Sequence, residues 1–127
     1  GEQPKPAPVV EQPQPKKEVV AEPMKQNIFF ALNSAKSQDD QQAKLVSLIE
    51  YLETHPAAKI SITGYADVNT GNPKINSKLS EKRAVNVAEA LKVKGIAADR
   101  IKIDFKGDTV QPYATPEENR VSICIAE

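Results

Sequence analysis

Apolar residues recur along this chain in short runs, and the spacing inside each run names an element. Asn27-Ile28-Phe29-Phe30-Ala31-Leu32 is a compact apolar stretch and reads as a strand. From Gln38 to Thr54, Leu45, Leu48, Ile49 and Leu52 follow helical spacing. Ser37 or Asp39 is placed to cap that helix, Asp39 and Asp40 suit the positive end of its dipole, and Pro56 stops it. Lys59 to Tyr65 alternates apolar with small or polar residues, the mark of a strand. A polar stretch, Ala66 to Asn76, reads as a loop. Ser77 to Lys94 is a second helix with Ala84, Val87, Ala88 and Leu91 on its buried stripe and Gly95 at the left-handed C-cap.

Alternation returns in Arg100 to Phe105, with Ile101, Ile103 and Phe105 on one face. It appears again in Arg120 to Ala126, with Val121, Ile123 and Ile125 on one face and Cys124 on the other. Asp108 to Asn119, with Pro112 and Pro116, connects the two. The order strand, helix, strand, helix, strand, strand predicts an α+β two-layer sandwich. Its β-α-β-α-β-β mixed sheet would carry both helices on one face.

Residues 1–23 break this pattern. Prolines at 4, 6, 8, 13, 15 and 23 remove helix and ladder hydrogen bonds, and few large apolar side chains are present. The segment is expected to be an extended, polyproline-biased linker ahead of a domain at 24–127. Fully stretched it would reach about 70 Å. No run approaches the roughly 18 apolar residues of a membrane span, and no signal peptide is apparent. An exported protein is therefore expected to be represented here by a mature form or a fragment. The 17 basic and 17 acidic residues cancel, which argues against nucleic acid as the main partner. Cys124 is the single cysteine, so no intrachain disulfide forms, and the compartment stays open on that count.

Candidate chemistry concentrates between Ile60 and Leu91. The stretch reads ISITGYAD, NTGNPKIN and SKLSEKRAVNVAEAL, with a Gly95-to-Ile101 step and Asn119-Arg120-Val121 further on. This resembles the C-terminal domain of the OmpA family, shared with Pal lipoproteins and flagellar motor stators. There a strand ends in a G-H-T-D-like motif, L-S-x-x-R-A opens a helix, and N-R-R-V comes near the end. The resemblance covers nearly everything from Met24 onward, with several motifs in order. It departs in three places. Tyr65-Ala66 stands for His-Thr, the loop after Asp67 is one residue longer, and one arginine, Arg120, stands where many relatives have two.

The resemblance implies a domain that binds the diaminopimelate of peptidoglycan stem peptides. Asp67 takes the place of the motif aspartate, Arg83 that of the L-S-x-x-R arginine, and Asn76 that of the loop asparagine. Tyr65, Asn119 and Arg120 lie near the groove. The chemistry suits the ligand. A diaminopimelate tip carries an ammonium and a carboxylate on one carbon, so a carboxylate and a guanidinium a short distance apart would grip both. Placed early in its helix, Arg83 would share the anion with free N–H groups. Without the family match, an Arg83–Asp67 ion pair of purely structural use is the better reading. His55 and Cys124 have no partners that suggest a metal or a nucleophile.

The expected role is non-catalytic, with no cofactor: anchoring of an outer-membrane protein to the cell wall from a periplasmic domain. A protein–protein module of an envelope or stator complex is the alternative, and a homo-oligomer stays open. A wall hydrolase would need a facing carboxyl pair or an activated nucleophile, and neither is evident.

Overall fold

The structure, a computed structural model, describes residues 22–127. All of the expected 1–23 linker except the exposed Glu22 and Pro23 lies outside the described residues. Four strands and two helices make the domain: β1 Met24–Phe29, α1 Gln42–Thr54, β2 Ile60–Gly64, α2 Pro73–Val93, β3 Ile101–Phe105 and β4 Val121–Ala126. The sheet runs β1-β4-β2-β3. The last strand is thus inserted at the centre, antiparallel to β1 and β2, while β2 and β3 are parallel. The parallel pair needs a crossover, and α2 is that crossover. The expected α+β sandwich with both helices on one face of a mixed sheet is the observed fold.

Register decides which residues meet the helices. Ile60, Ile62 and Gly64 of β2 stand beside Ala126, Cys124 and Ser122 of β4, and all six are buried. They close against Leu45, Leu48 and Leu52 of α1 and Ala84, Val87, Ala88 and Leu91 of α2. Each large side chain of this set contributes about 1.5–3 kcal/mol by leaving water. Cys124 is a small packed residue, as its alternation implied. The face of β4 that meets the helices is therefore the small one. Ile123 and Ile125 share the opposite face and are only half-buried. Small residues sit at the centre because α2 lies close on β2: a Cβ on Gly64 would stand 1.9 Å from the Ser80 carbonyl oxygen.

Several boundaries differ from the sequence expectation, each for a physical reason. β1 begins at Met24 because pairing with Ala126 starts there, and it ends at Phe29, leaving Leu32 exposed. α1 is preceded by a 3-10 turn, Asp39–Gln41. The cap positions Gln38 and Gln41 carry no side-chain cap bond, so neither Ser37 nor Asp39 acts as the expected cap. α2 begins at Pro73, four residues before the expected Ser77. The Asn72 side chain accepts from the Ile75 N–H and Pro73 occupies the first turn, where its missing N–H costs nothing. Ile103 and Phe105 of β3 line up with the helix-facing row of β2, yet stay 37% and 39% exposed, because β3 is the sheet edge.

Candidate functional site

The C-terminal end of β2, the first three turns of α2 and the entry to β4 meet at one corner. Asp67 leaves β2 through Tyr65 and Ala66 and is almost fully buried, 1% exposed. Its carboxylate accepts from the Asn69 N–H at 3.1 Å and takes the Thr70 hydroxyl on both oxygens at 3.0 and 2.9 Å. Arg120, at the start of β4, donates from Nη1 to Asp67 Oδ2 at 3.3 Å. The partner of Asp67 is therefore Arg120 and not Arg83.

Arg83 is wholly buried and points into the same corner. Its donors go to backbone carbonyls: Nε to Ser34 at 2.8 Å, Nη1 to Tyr65 at 2.9 Å and Nη2 to Ala31 at 3.3 Å. Its guanidinium carbon lies 5.5 Å from the centre of the Phe30 ring, within cation–π range. Burial pulls its pKa down to about 10, against the opposing field of Asp67, and Arg120 lowers it further. Both fields identify Arg83, Asp67 and Arg120 as one electrostatic cluster. Arg83 is also the eleventh residue of a helix that begins at Pro73, so the expected help from free helix N–H groups does not apply to it.

Three of the five Arg83 N–H groups are used, and the Arg120 Nε–H is buried without a partner. One carboxylate thus faces two guanidinium groups. Among these residues the cluster holds an excess positive charge and an unmatched donor, which is the electrostatic shape of an anion site.

The remaining expected residues frame this cluster. Asn76 is buried inside α2, not in a loop. It donates to the carbonyls of Asp67 at 3.4 Å and Thr70 at 2.8 Å and to Asp108 Oδ2 at 2.9 Å, clasping the loop that carries Asp67. Gly71 takes a positive φ of 67° there, and a Cβ on it would meet Asn76 Oδ1 at 2.7 Å. Asn119 turns inward and binds both backbone groups of Tyr113, at 2.8 and 3.0 Å. Tyr65 contributes its carbonyl to Arg83, while its ring is half-buried and its phenol pKa is raised by that burial.

The sequence reading missed Thr70, whose hydroxyl closes on Asp67, and Asp108, which holds Asn76. It also missed the role of Arg100, at the start of the alternating stretch Arg100 to Phe105. Arg100 donates to the carbonyls of Ala58, Leu52 and His55 at 2.9 Å each and so satisfies the end of α1. A basic residue just ahead of a strand is too common a signal to have identified that role.

Among the described residues no helix is long and apolar enough to cross a membrane. Residues 29–122 match the OmpA family. The chain is 38% identical to outer membrane protein 40 of Porphyromonas gingivalis over 90% of its own length and 30% of that protein's. It is 32% identical to the peptidoglycan-associated lipoprotein of Legionella pneumophila over 64% of this chain and 46% of that one. The chain therefore spans less than half the length of these relatives. The crystal structure of the peptidoglycan-associated lipoprotein from Burkholderia pseudomallei superposes with a TM-score of 0.74 at 26% identity. That match covers 80% of this chain and 89% of that one. Fold, motif order and family match agree: this chain belongs to the OmpA family.

Proposed function

We propose that this domain holds peptidoglycan without forming a covalent bond, by gripping the zwitterionic tip of diaminopimelate, and so anchors an outer-membrane protein to the wall from the periplasmic side. The single observation that carries this reading is the cluster itself: one buried carboxylate, two guanidinium groups and an Arg120 Nε–H with no partner. The ligand ammonium would replace the Thr70 hydroxyl on Asp67. The ligand carboxylate would take the Arg120 Nε–H and the N–H groups of Arg83 that no carbonyl uses. Asn76, Tyr65 and Asn119 would hold the corner in shape. The relative named a peptidoglycan-associated lipoprotein supports the same partner. A stem peptide with lysine in place of diaminopimelate lacks the second carboxylate and would leave the guanidinium pair unmatched, a penalty of about 1–3 kcal/mol. Binding of this kind needs no cofactor and no reacting group.

Titration with meso-diaminopimelate, followed by backbone amide shifts, tests the reading. Saturable shifts are expected at residues 65–83 and 119–120. Asp67→Ala and Arg120→Ala should weaken binding at least tenfold, roughly the worth of one charge-assisted contact. Wild-type affinity in both variants, with folding checked by circular dichroism, refutes the site. Release of soluble wall fragments by the purified protein would instead indicate an enzyme.

A further inference from the structure

As a strand β2 ends at Gly64, yet its hydrogen bonding runs on toward Asp67. The Lys106 N–H donates to the Gly64 carbonyl at 3.0 Å, and the Ala66 N–H donates to the Gly107 carbonyl at 2.9 Å. The chain after Gly107 then turns away, with the Thr109 N–H returning to the Lys106 carbonyl at 3.1 Å. Opposite Asp67 the place of a neighbouring strand is taken by a side chain. Gln111 Nε2 donates to the Ala66 carbonyl at 2.9 Å, and Gln111 Oε1 accepts from the Val68 N–H at 3.1 Å. One amide group thus meets the carbonyl before Asp67 and the N–H after it, the pair of bonds that a residue of a parallel strand makes. Nε2 also donates to the Asp108 carbonyl at 3.2 Å. Its partners therefore fix which way the amide points: carbonyls on the nitrogen side, an N–H on the oxygen side.

The other tethers of Asp67 differ in kind. Asn69 and Thr70 belong to its own loop and move with it. From outside the loop, Arg120 reaches one carboxylate oxygen at 3.3 Å and Asn76 reaches the Asp67 carbonyl at 3.4 Å. Both Gln111 bonds are shorter, and they act on the peptide units on either side of Asp67, which set the direction in which its side chain leaves the backbone. Satisfying the backbone does not by itself require a side chain here, because Val68 is 57% exposed and water can take an N–H at such a position. Gln111 is also uncharged, so it acts on the geometry of the cluster and not on its balance of charge.

We propose that Gln111 is a positioning residue for ligand binding: its side-chain amide stands in for the strand that is missing opposite Asp67 and so aims the carboxylate that takes the ligand ammonium. The proposal rests on the reading of the cluster as the diaminopimelate site. It makes the loop between β3 and β4 a working part of that site, since the loop supplies the clamp on the Asp67 backbone and then leads into Arg120, the charge partner of the same carboxylate. Pre-ordering of this kind raises affinity because the ligand does not have to order the segment when it binds.

Gln111→Met keeps most of the side-chain volume and removes both bonds. The test follows meso-diaminopimelate affinity and the hydrogen exchange of the Val68 and Asn69 amides on the 127-residue chain, well below the Tm. Affinity should fall roughly five- to thirtyfold, the effect of having to order about one residue of backbone on binding. The dependence of affinity on salt should keep its slope, because no charge is lost. Exchange at Val68 should quicken directly. Exchange at Asn69, whose N–H bonds to Asp67 Oδ1, should quicken because the carboxylate has lost its direction. The side chain is half-buried in a loop, so the variant is expected to fold, with a Tm within a few degrees of wild type. Wild-type affinity in Gln111→Met overturns the proposal, and so does a loss of affinity with Asn69 exchange unchanged. A variant that fails to fold, or melts more than about 10 °C lower, overturns it as well, since the two bonds would then be holding the fold. Wild type that does not bind meso-diaminopimelate overturns the cluster reading and this proposal with it, whereas a wild type that binds beside an unaffected variant overturns this proposal alone.

Discussion

Replacing Gly64 by alanine should damage the domain through one contact. Gly64 closes β2 in extended backbone, so no unusual φ is involved and the effect is purely steric. A Cβ there would stand 1.9 Å from the Ser80 carbonyl oxygen, 2.9 Å from its carbon and 3.2 Å from the Ala84 nitrogen. All three are helix backbone, which cannot rotate away as a side-chain tip could. Real Cβ atoms do not approach closer than 3.0 Å, so α2 must rise from the sheet by about 1 Å. That lift stretches the Arg83–Tyr65 carbonyl bond of 2.9 Å and the bond from the Gly107 N–H to Ser80 Oγ, also 2.9 Å. It also opens the packing of Ala84 and Val87 against β2. Overpacking of this kind costs about 2–3 kcal/mol, which lowers the Tm of a domain near 100 residues by roughly 10–20 °C. Urea unfolding followed by circular dichroism reads the stability, and diaminopimelate titration reads the site. Since α2 carries Arg83 and Asn76, affinity should fall with stability. A Gly64→Ala protein that melts within about 1 °C of wild type would refute the inference that α2 rests on Gly64.

Two further expectations concern β4. The Ser122 hydroxyl is fully buried with no hydrogen-bond partner, so Ser122→Ala removes an uncompensated polar group. It should stabilise by about 1 kcal/mol, read as a higher urea midpoint at unchanged slope. Burial pushes the Cys124 thiol up to about 12 from 9.0. The native protein should therefore resist iodoacetamide at about pH 8 and react once unfolded. Because the folded value is the raised one, the folded state holds the proton more tightly between the two. Stability from this group is full below about pH 9 and is lost as pH rises toward 12. Melting curves should show a steeper alkaline decline for wild type than for Cys124→Ala.

The element order and the helix stripes were legible because each is a local, periodic signal. Leu45, Leu48 and Leu52, and Ala84, Val87 and Leu91, all face the core as their spacing predicts. The start of α2 was misplaced because Asn72 and Pro73 carry loop composition, although the pair also reads as a cap followed by a first-turn proline. Membership of the cluster was legible through motifs: Asp67, Arg83 and Arg120 do converge. Who bonds whom was not. Two of the three partners of Arg83, Ala31 and Ser34, lie 52 and 49 residues away, and Arg120 reaches Asp67 across 53. Pairings at that separation follow from sheet order, and no periodicity encodes that β4 sits between β1 and β2. The face of β4 was hidden for a related reason. Ile123 and Ile125 are the larger apolar residues, but the helices lie too close to the sheet for them, so Ser122, Cys124 and Ala126 take the inner row.

The separate partners of the two arginines bear on how binding and folding are linked. Arg83 ties the Ala31–Ser34 turn and Tyr65 to α2, so removing it would unfasten two segments at once, whether or not ligand is near. Arg120 makes one bond, to Asp67, and holds a buried Nε–H that nothing inside the domain satisfies. Burying a cation without full compensation costs stability. Here the cost falls on the buried Nε–H of Arg120, at the mouth of β4, while the fully buried Arg83 is compensated by carbonyls. An incoming carboxylate would remove that cost only in the folded state. Ligand should therefore raise the Tm by mass action. The rise should vanish in Arg120→Ala even if that variant is no less stable than wild type when empty, since the strain that ligand relieves would already be gone.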